Sequence, residues 1–258
     1  MALLPDHRAV RRSPLIVRTI DAGHELSEAL NRLAQHWTLA VPTALASLAC
    51  AAIVFFAIGA VVVSVVAGAL VGHTAGALAA IGAGAAAVGL SFLAIAVLAS
   101  LASTVVIAAA RDVWEGRDPD FGAAWALTMR RLPDLAAALA LVGLIALVPI
   151  ALCIVLIGFP MLLVLAYLMM YVTPAIVLGG EDAPSAIRTS FRLATAHANV
   201  SAIAFAGICA AFFVGRFVDA FCIHVPGLGL LTAFAVGGFT AAYGALVRAR
   251  FYALLRGL

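Results

Sequence analysis

Lysine is absent from this 258-residue chain, and all 15 of its basic residues are arginine. Charged side chains of every kind make up only 10% of the residues, well below the roughly 25% of soluble domains. Hydrophobic residues make up 66%, which is more apolar surface than a soluble globule of this length can bury. The composition therefore excludes the soluble and the disordered classes. It predicts an integral membrane protein built almost wholly of helices.

The chain has neither a large excess of one charge nor a cysteine motif. A net charge of +3 is too small to indicate nucleic-acid binding. The cysteines show no C-x-x-C spacing, so we expect no disulfide framework, no metal site and no cofactor. They are Cys50, Cys153, Cys209 and Cys222. The missing lysine and the abundant alanine are typical of a GC-rich bacterial genome.

Six apolar runs are long enough to cross a bilayer core, which needs about 20 helical residues. They lie at 39–71, 76–110, 134–157, 160–178, 199–218 and 228–252. Residues 134–178 could form one irregular helix or two short ones, but Ile157-Gly158-Phe159-Pro160 is a turn signal. We expect an all-α polytopic membrane protein with six transmembrane helices in three hairpins. Its predicted parts are an N-terminal arm at 1–38 and a membrane domain at 39–258, with hairpins 39–110, 134–178 and 199–252.

Six crossings place fourteen arginines on one side and only Arg216 on the other. The positive-inside rule assigns the fourteen to the cytoplasm. Both termini are then cytoplasmic, and the expected location is the bacterial inner membrane. The first apolar run begins only near Leu39, which argues against a cleaved signal peptide. The outer face keeps only short turns near His73, near Phe159 and at 216–227, and the long first hairpin either tilts or projects past the outer leaflet.

Each pair of spans is preceded by a short polar segment with an apolar stripe at helical spacing. The stripes begin at Leu26, Phe121 and Ile187, and acidic residues precede each one, as suits a helix N-terminus. These segments are predicted to be interfacial helices on the cytoplasmic side. The chain then consists of three repeated units, although polar inner loops alone would explain the pattern. The residues expected to contact lipid or a partner there are Trp37, Phe121, Trp125, Arg130, Arg131, Arg188, Phe191 and Arg192.

One stretch of sequence resembles a known bacterial family. Thr173-Pro174-Ala175-Ile176-Val177-Leu178 and an acidic loop lead to a helix with Ala186, Ser190, Phe191 and Leu193. This pattern is similar to the six-helix membrane domain found beside glycerophosphoryl diester phosphodiesterases, and to related uncharacterised membrane proteins. The resemblance covers about 105–258 and implies a fold. Phosphodiesterase chemistry belongs to a separate soluble barrel for which the six spans leave no room, so it is not expected here.

Few polar groups in or near the spans are candidates for a site. Arg216 and Asp219 are spaced to pair on one helix face, either as a local ion pair or as an outer gate or partner contact. Cys222-x-His224 is a weak metal half-site. A group near the third unit could bridge helices or line a transport cavity. Its members are Tyr167, Tyr171, Thr173, Ser190, Asn199 and Ser201.

No combination of nucleophile, base and metal ligands marks an enzyme. Glu181-Asp182 could act on lipid headgroups, but helix capping explains both residues. We therefore expect a non-enzymatic structural, assembly or accessory component that contacts anionic lipid, or other membrane subunits, at its cytoplasmic face. The alternative is a transporter or channel for a hydrophobic or lipid-like small molecule. A lipid-modifying membrane enzyme is the third hypothesis.

Overall fold

The computed structural model describes residues 21–71, 74–153, 156–222 and 228–257. Throughout these residues the chain is helical and forms no strand, which confirms the all-α prediction. The helices are α1 (Ala22–Gln35), α2 (Ala40–Val71), α3 (Thr74–Trp114), α4 (Phe121–Arg130), α5 (Leu132–Leu152), α6 (Gly158–Leu168), α7 (Val172–Val177), α8 (Ala183–Ala196), α9 (Ala198–Cys222) and α10 (Leu228–Arg256). A single 3-10 turn, Trp37–Leu39, joins α1 to α2.

Five helical segments of the described chain are long and apolar enough to cross a membrane. They are Trp37–Ala69, Gly82–Trp114, Leu132–Leu152, Gly158–Val177 and Ala198–Cys222. They overlap the first five predicted runs, with ends that differ by a few residues. Their length and composition are those of a multi-pass membrane protein. The sixth predicted run is also helical, because α10 continues for 29 residues.

The turn between α5 and α6 differs from the prediction. Pro160 lies in the first turn of α6, close to the predicted start of the fourth run at 160, where a missing N–H costs no hydrogen bond. The chain turns earlier, at Leu156, whose φ is 62°. Gly158 makes the reversal possible, because a Cβ there would lie 2.0 Å from the carbonyl oxygen of Pro149. The two short helices of the predicted hairpin are therefore present, with shifted ends.

Two further boundaries also differ from the prediction. The fifth helix does not end at residue 218 but continues to Cys222, so that part of the predicted outer turn is wrong. The fourth run is interrupted between Leu168 and Val172, where α6 gives way to the short α7. The predicted turn near His73, the arginines of residues 1–20 and His224 lie outside the described residues.

The buried core lies at one end of the helix bundle. We name this region the arginine-rich end; it consists of α1, α4, α7 and α8, the loops that adjoin them, and the last turns of α3 and α10. Tyr171, Phe251 and Tyr252 are its largest fully buried side chains, and α3 contributes an unbroken buried run at 104–110. Because most of the buried side chains lie here, the helices of this end are held in fixed positions relative to one another. They therefore fix the charged side chains that they carry.

The α2–α3 hairpin extends far beyond this core. At 1.5 Å per residue, the 32 residues of α2 reach about 48 Å and the 41 residues of α3 about 62 Å. Large apolar side chains of α2 are exposed along this length, among them Phe55, Phe56 and Val63. Exposed apolar surface of this extent is compatible with contact to lipid rather than to water.

The three predicted amphipathic helices are present as α1, α4 and α8, and each buries some members of its predicted apolar stripe and exposes others. In α1 the buried residues are Ala22, Ala29 and Leu33, whereas Leu30 and Trp37 of the predicted stripe are exposed. The small residues Ala22 and Ala29 allow α1 to approach the other helices closely. The predicted acidic caps are found at two of the three helices, where Asp21 and Asp120 each accept a backbone N–H.

Candidate functional site

A charged cluster around Trp114 holds α1 against the ends of α3 and α10. The guanidinium groups of Arg32 and Arg250 lie 5.1 and 4.6 Å from the centre of the Trp114 ring. Arg250 also pairs with Glu25 of α1 at 2.7 Å. Arg32 donates to the carbonyl oxygen of Val113. Each cation–π contact contributes about 1 kcal/mol when partly desolvated, so the cluster fixes α1 across the arginine-rich end.

A second ion pair ties the loop before α8 to the end of α10. Glu181 lies 2.7 Å from Arg256, and Arg256 lies over the ring of Tyr252 at 5.8 Å. Gly179 packs directly against Tyr252, since a Cβ there would lie 2.2 Å from the tyrosine oxygen. Glu181, which the sequence offered as a headgroup-directed acid, is therefore engaged by an arginine of its own chain.

Carboxylates also neutralise the arginines in the last turn of α3 and in the loop that follows it. Arg117 lies 2.7 Å from Asp112 and 2.6 Å from Glu115. The hydrogen bond to Asp112, followed by the charge of Glu115, raises the pKa of the Arg117 guanidinium. Arg111 pairs with the same Glu115 at 3.0 Å. These two arginines are exposed, but their charge is largely balanced locally.

Three arginines at the same end have no such partner. Arg130, Arg188 and Arg192 are exposed, and within the described part of the chain no acidic side chain pairs with them. All three belong to the predicted lipid-contacting set. The fourth predicted arginine, Arg131, is half-buried and lies 3.8 Å from Asp134.

The predicted aromatic anchors are also mostly exposed at this end. Trp37, Trp125 and Phe191 are 65%, 52% and 51% exposed. Phe121 is half-buried and, with Trp125, lines an apolar groove of about 620 Å³ between α2, α3 and α4. Exposed indole rings beside unpaired arginines are the arrangement typical of a membrane–water interface.

The predicted polar group of the third unit is packed. The hydroxyl of Tyr167 donates to the carbonyl of Ala194 at 2.8 Å, and that of Tyr171 bonds to Ser201 Oγ at 3.1 Å. Ser190 Oγ donates to the carbonyl of Leu168 at 2.7 Å. These groups therefore bridge helices, which is the first of the two alternatives that the sequence left open. Asn199 is exposed and Thr173 faces a different cavity.

The cavity that Thr173 lines lies between α2, α3, α9 and α10, with α7 at its edge, and measures about 600 Å³. Arg248 lines one part of it, where its Nη2 donates to Ser103 Oγ at 2.8 Å and its Nε to the carbonyl of Gly244 at 3.0 Å. The positive-inside rule placed Arg248 only among the fourteen arginines predicted to be cytoplasmic. The available signal was the combination of an arginine inside an apolar run with serines at 100 and 103 on a neighbouring span.

The predicted pair on α9 is also part of this cavity. Arg216 lies 3.4 Å from Asp219, as the i, i+3 spacing predicted, and over the ring of Phe212 at 5.3 Å. Because Arg216 is 65% exposed, the pair contributes at most about 1 kcal/mol. Asp219 is far less exposed, and its Oδ1 is buried without a hydrogen-bond partner.

In the described parts of the chain, no three His, Cys, Asp or Glu residues are grouped in a way that could hold a metal ion. Comparison of the chain with protein-family models, curated proteins and solved structures finds no match. The resemblance to the six-helix family therefore stays a prediction, and the proposals below rest on the geometry alone.

Proposed function

We propose that the chain is a non-enzymatic multi-pass protein of a bacterial inner membrane that binds anionic lipid at its arginine-rich end, as a structural or accessory component. One observation carries the proposal. Six of the predicted interface residues are exposed together at this end, and three of them are arginines without an acidic partner in the described residues; the six are Trp37, Trp125, Arg130, Arg188, Phe191 and Arg192.

The distribution of acidic residues supports lipid headgroups as the partner of these arginines. Glu25, Glu28, Glu115, Asp134 and Glu181 each lie within ion-pair distance of an arginine. The remaining guanidinium groups of α4 and α8 face outward, where phosphate groups can accept their hydrogen bonds. Each exposed arginine near an anionic leaflet contributes about 1 kcal/mol of attraction.

The six-crossing layout belongs to the same proposal. It treats α10 as the sixth span and places the arginine-rich end, with both termini, on the cytoplasmic side. The anionic lipids of that leaflet then meet the unpaired arginines directly. The apolar groove beside Trp125 offers a place for the acyl chain of a lipid held by its headgroup.

Replacing Arg188 and Arg192 together with glutamine tests the proposal. We expect the double variant to retain less phosphatidylglycerol than the wild type when both are extracted from mixed phosphatidylcholine and phosphatidylglycerol membranes in polymer-bounded discs. Each arginine contributes about 1 kcal/mol of attraction, so the enrichment of phosphatidylglycerol next to each replaced arginine falls roughly fivefold. Lipid analysis of the purified discs measures this ratio.

The double variant Arg111→Gln and Arg117→Gln is the matched control. It removes two exposed arginines from the same end, but both are paired with carboxylates. We expect its lipid ratio to change much less. Equal phosphatidylglycerol retention by the wild type and the Arg188/Arg192 variant would contradict the proposed function.

A further inference from the structure

The cavity between α2, α3, α9 and α10 is separate from the lipid-contacting surface of the proposed function. Its volume of about 600 Å³ lies within the 300–1,000 Å³ that is typical of small-molecule sites. Along α10 it extends from Val236 to Arg248, which is about 18 Å of helix. The face of α10 between them carries Gly237, Ala241 and Gly244, whose small size leaves this space open.

Arg248 is the unusual member of the lining. Its guanidinium has five N–H donors, and the protein engages it through Gly244 and Ser103. No carboxylate in the described residues lies within ion-pair distance of it. The other half-buried arginines in the described residues, Arg32, Arg131 and Arg250, each have a carboxylate partner. A cation among apolar helices without a counter-ion is costly, which makes this position a candidate for an anion supplied from outside.

Hydroxyl groups extend the polar surface around Arg248. Ser103 already accepts a hydrogen bond from the guanidinium, and Ser100 and Thr173 line the same cavity with hydroxyls that make no hydrogen bond to the described protein. Hydroxyls and a guanidinium together match the acceptor oxygens of a carboxylate or phosphate. The rest of the lining on α2, α3 and α9 is largely apolar, with Ala46, Ile208 and Phe212 among it.

The two charged residues of α9 do not change the positive charge that Arg248 gives to the cavity. Arg216 and Asp219 line the same cavity and pair with each other, so their charges nearly cancel. Arg248 then supplies the net charge. A ligand complementary to this lining has one anionic group and an apolar body.

We propose that this cavity binds one molecule of an anionic amphiphile, with its carboxylate or phosphate on Arg248, Ser100 and Ser103 and its apolar part along the small-residue face of α10. A carrier for a lipid-like small molecule, the alternative function expected from the sequence, needs a site of this kind. The same anion-binding chemistry could serve a free inorganic anion, so the experiment has an arm for each source.

Binding of dodecyl phosphate to the full chain tests the proposal. The protein is placed in discs of neutral phosphatidylcholine and titrated, with native mass spectrometry counting bound molecules. We expect one saturable molecule per chain. Arg248→Gln lowers the affinity at least tenfold, and Arg248→Lys, which keeps the charge but loses the planar fork, lowers it less. Ala241→Phe, which fills the cavity without touching the charge, also lowers it.

Controls separate this site from the surface of the proposed function. Arg192→Gln, at an exposed arginine outside the cavity, leaves the affinity for dodecyl phosphate unchanged, even though it reduces enrichment of anionic lipid. Inorganic phosphate is expected to bind at least tenfold more weakly than dodecyl phosphate.

Three results would overturn the assignment. One is unchanged affinity in both Arg248→Gln and Ala241→Phe, each shown to be folded by its elution profile. Another is equal affinity for inorganic and dodecyl phosphate, which would indicate a free-anion site. The third is binding of many molecules per chain without saturation. Should Arg248→Gln fail to fold, Ala241→Phe and Arg248→Lys decide the outcome.

Discussion

Replacing Gly238 with alanine is expected to lower the free energy of unfolding by about 2 kcal/mol. Gly238 marks the crossing of α2 and α10, where an added Cβ would lie 2.6 Å from the Cβ of Ala44 and 2.7 Å from its Cα. Because backbone atoms cannot move aside, the helices must separate, at a cost of about 1–3 kcal/mol. The hydrogen bond from Thr43 to the Gly238 carbonyl, at 2.7 Å, weakens as well. The gain of about 1 kcal/mol in helix propensity offsets only part of this loss.

The neighbouring glycine provides the control for this prediction. A Cβ at Gly237 would meet only Ser47 Oγ, at 3.7 Å. Gly237→Ala is therefore expected to be neutral or to stabilise the protein by up to about 1 kcal/mol. Thermal unfolding of both variants in the same detergent measures the difference. Similar unfolding temperatures for Gly238→Ala and Gly237→Ala would show that α2 and α10 do not cross at this point.

Replacing Glu25 with alanine is expected to weaken the attachment of α1 to the helix bundle, so that α1 opens locally more often. The Glu25–Arg250 pair joins two helices, and its side chains are only 17% and 30% exposed. A hydrogen-bonded charge pair of this kind contributes on the order of 2 kcal/mol. Local opening of α1 then becomes roughly 30-fold more frequent. Hydrogen exchange of the amides in residues 22–35 measures this as a loss of protection.

Glu28→Ala is the matched control for Glu25→Ala. Glu28 pairs with Arg32 at 2.9 Å, but both residues belong to α1. An i, i+4 pair contributes about 0.3–0.5 kcal/mol, so the expected loss of protection is about twofold. If Glu25→Ala has no greater effect than Glu28→Ala, then Arg250 and Trp114 do not hold α1 in place.

Hydropathy was sufficient to predict the long helices whose residues are nearly all apolar. The runs at 39–71 and 76–110 are the helices α2 and α3, because nearly every residue in them is apolar and their one proline, Pro42, lies in the first turn of α2. Helix starts were also predictable where a carboxylate caps the first turn, as at Asp21 and Asp120. Such signals depend only on neighbours along the chain.

The buried faces of the short helices could not be predicted in the same way. Of the predicted apolar stripe, Leu33 is buried but Leu30 and Trp37 are exposed, while Ala22 and Ala29 are the other buried residues of α1. In a membrane protein both faces of a helix can be apolar, because lipid and protein interior are similar solvents. Apolar spacing alone therefore does not decide which of these residues packs against the next helix.

The cavity shows a different limit of sequence reasoning. Arg248 and Ser103 are separated by 145 positions, and their hydrogen bond exists only because α3 and α10 lie side by side. Tyr167 and Tyr171, which the sequence assigned either to helix bridging or to a cavity, form hydrogen bonds to Ala194 of α8 and Ser201 of α9. Nothing in spacing along the chain distinguishes a hydroxyl that bridges helices from one that faces open space.

Cysteine accessibility in intact bacterial cells tests most directly whether the arginine-rich end faces the cytoplasm. Asp118→Cys and Asp182→Cys place thiols at exposed positions of this end, in a background where the four native cysteines are replaced by alanine. We predict that a membrane-impermeant maleimide labels neither site, nor a cysteine added at either terminus, until the inner membrane is opened. Labelling of Asp118→Cys or Asp182→Cys in intact cells, or labelling of only one of the two termini, would contradict the six-crossing arrangement.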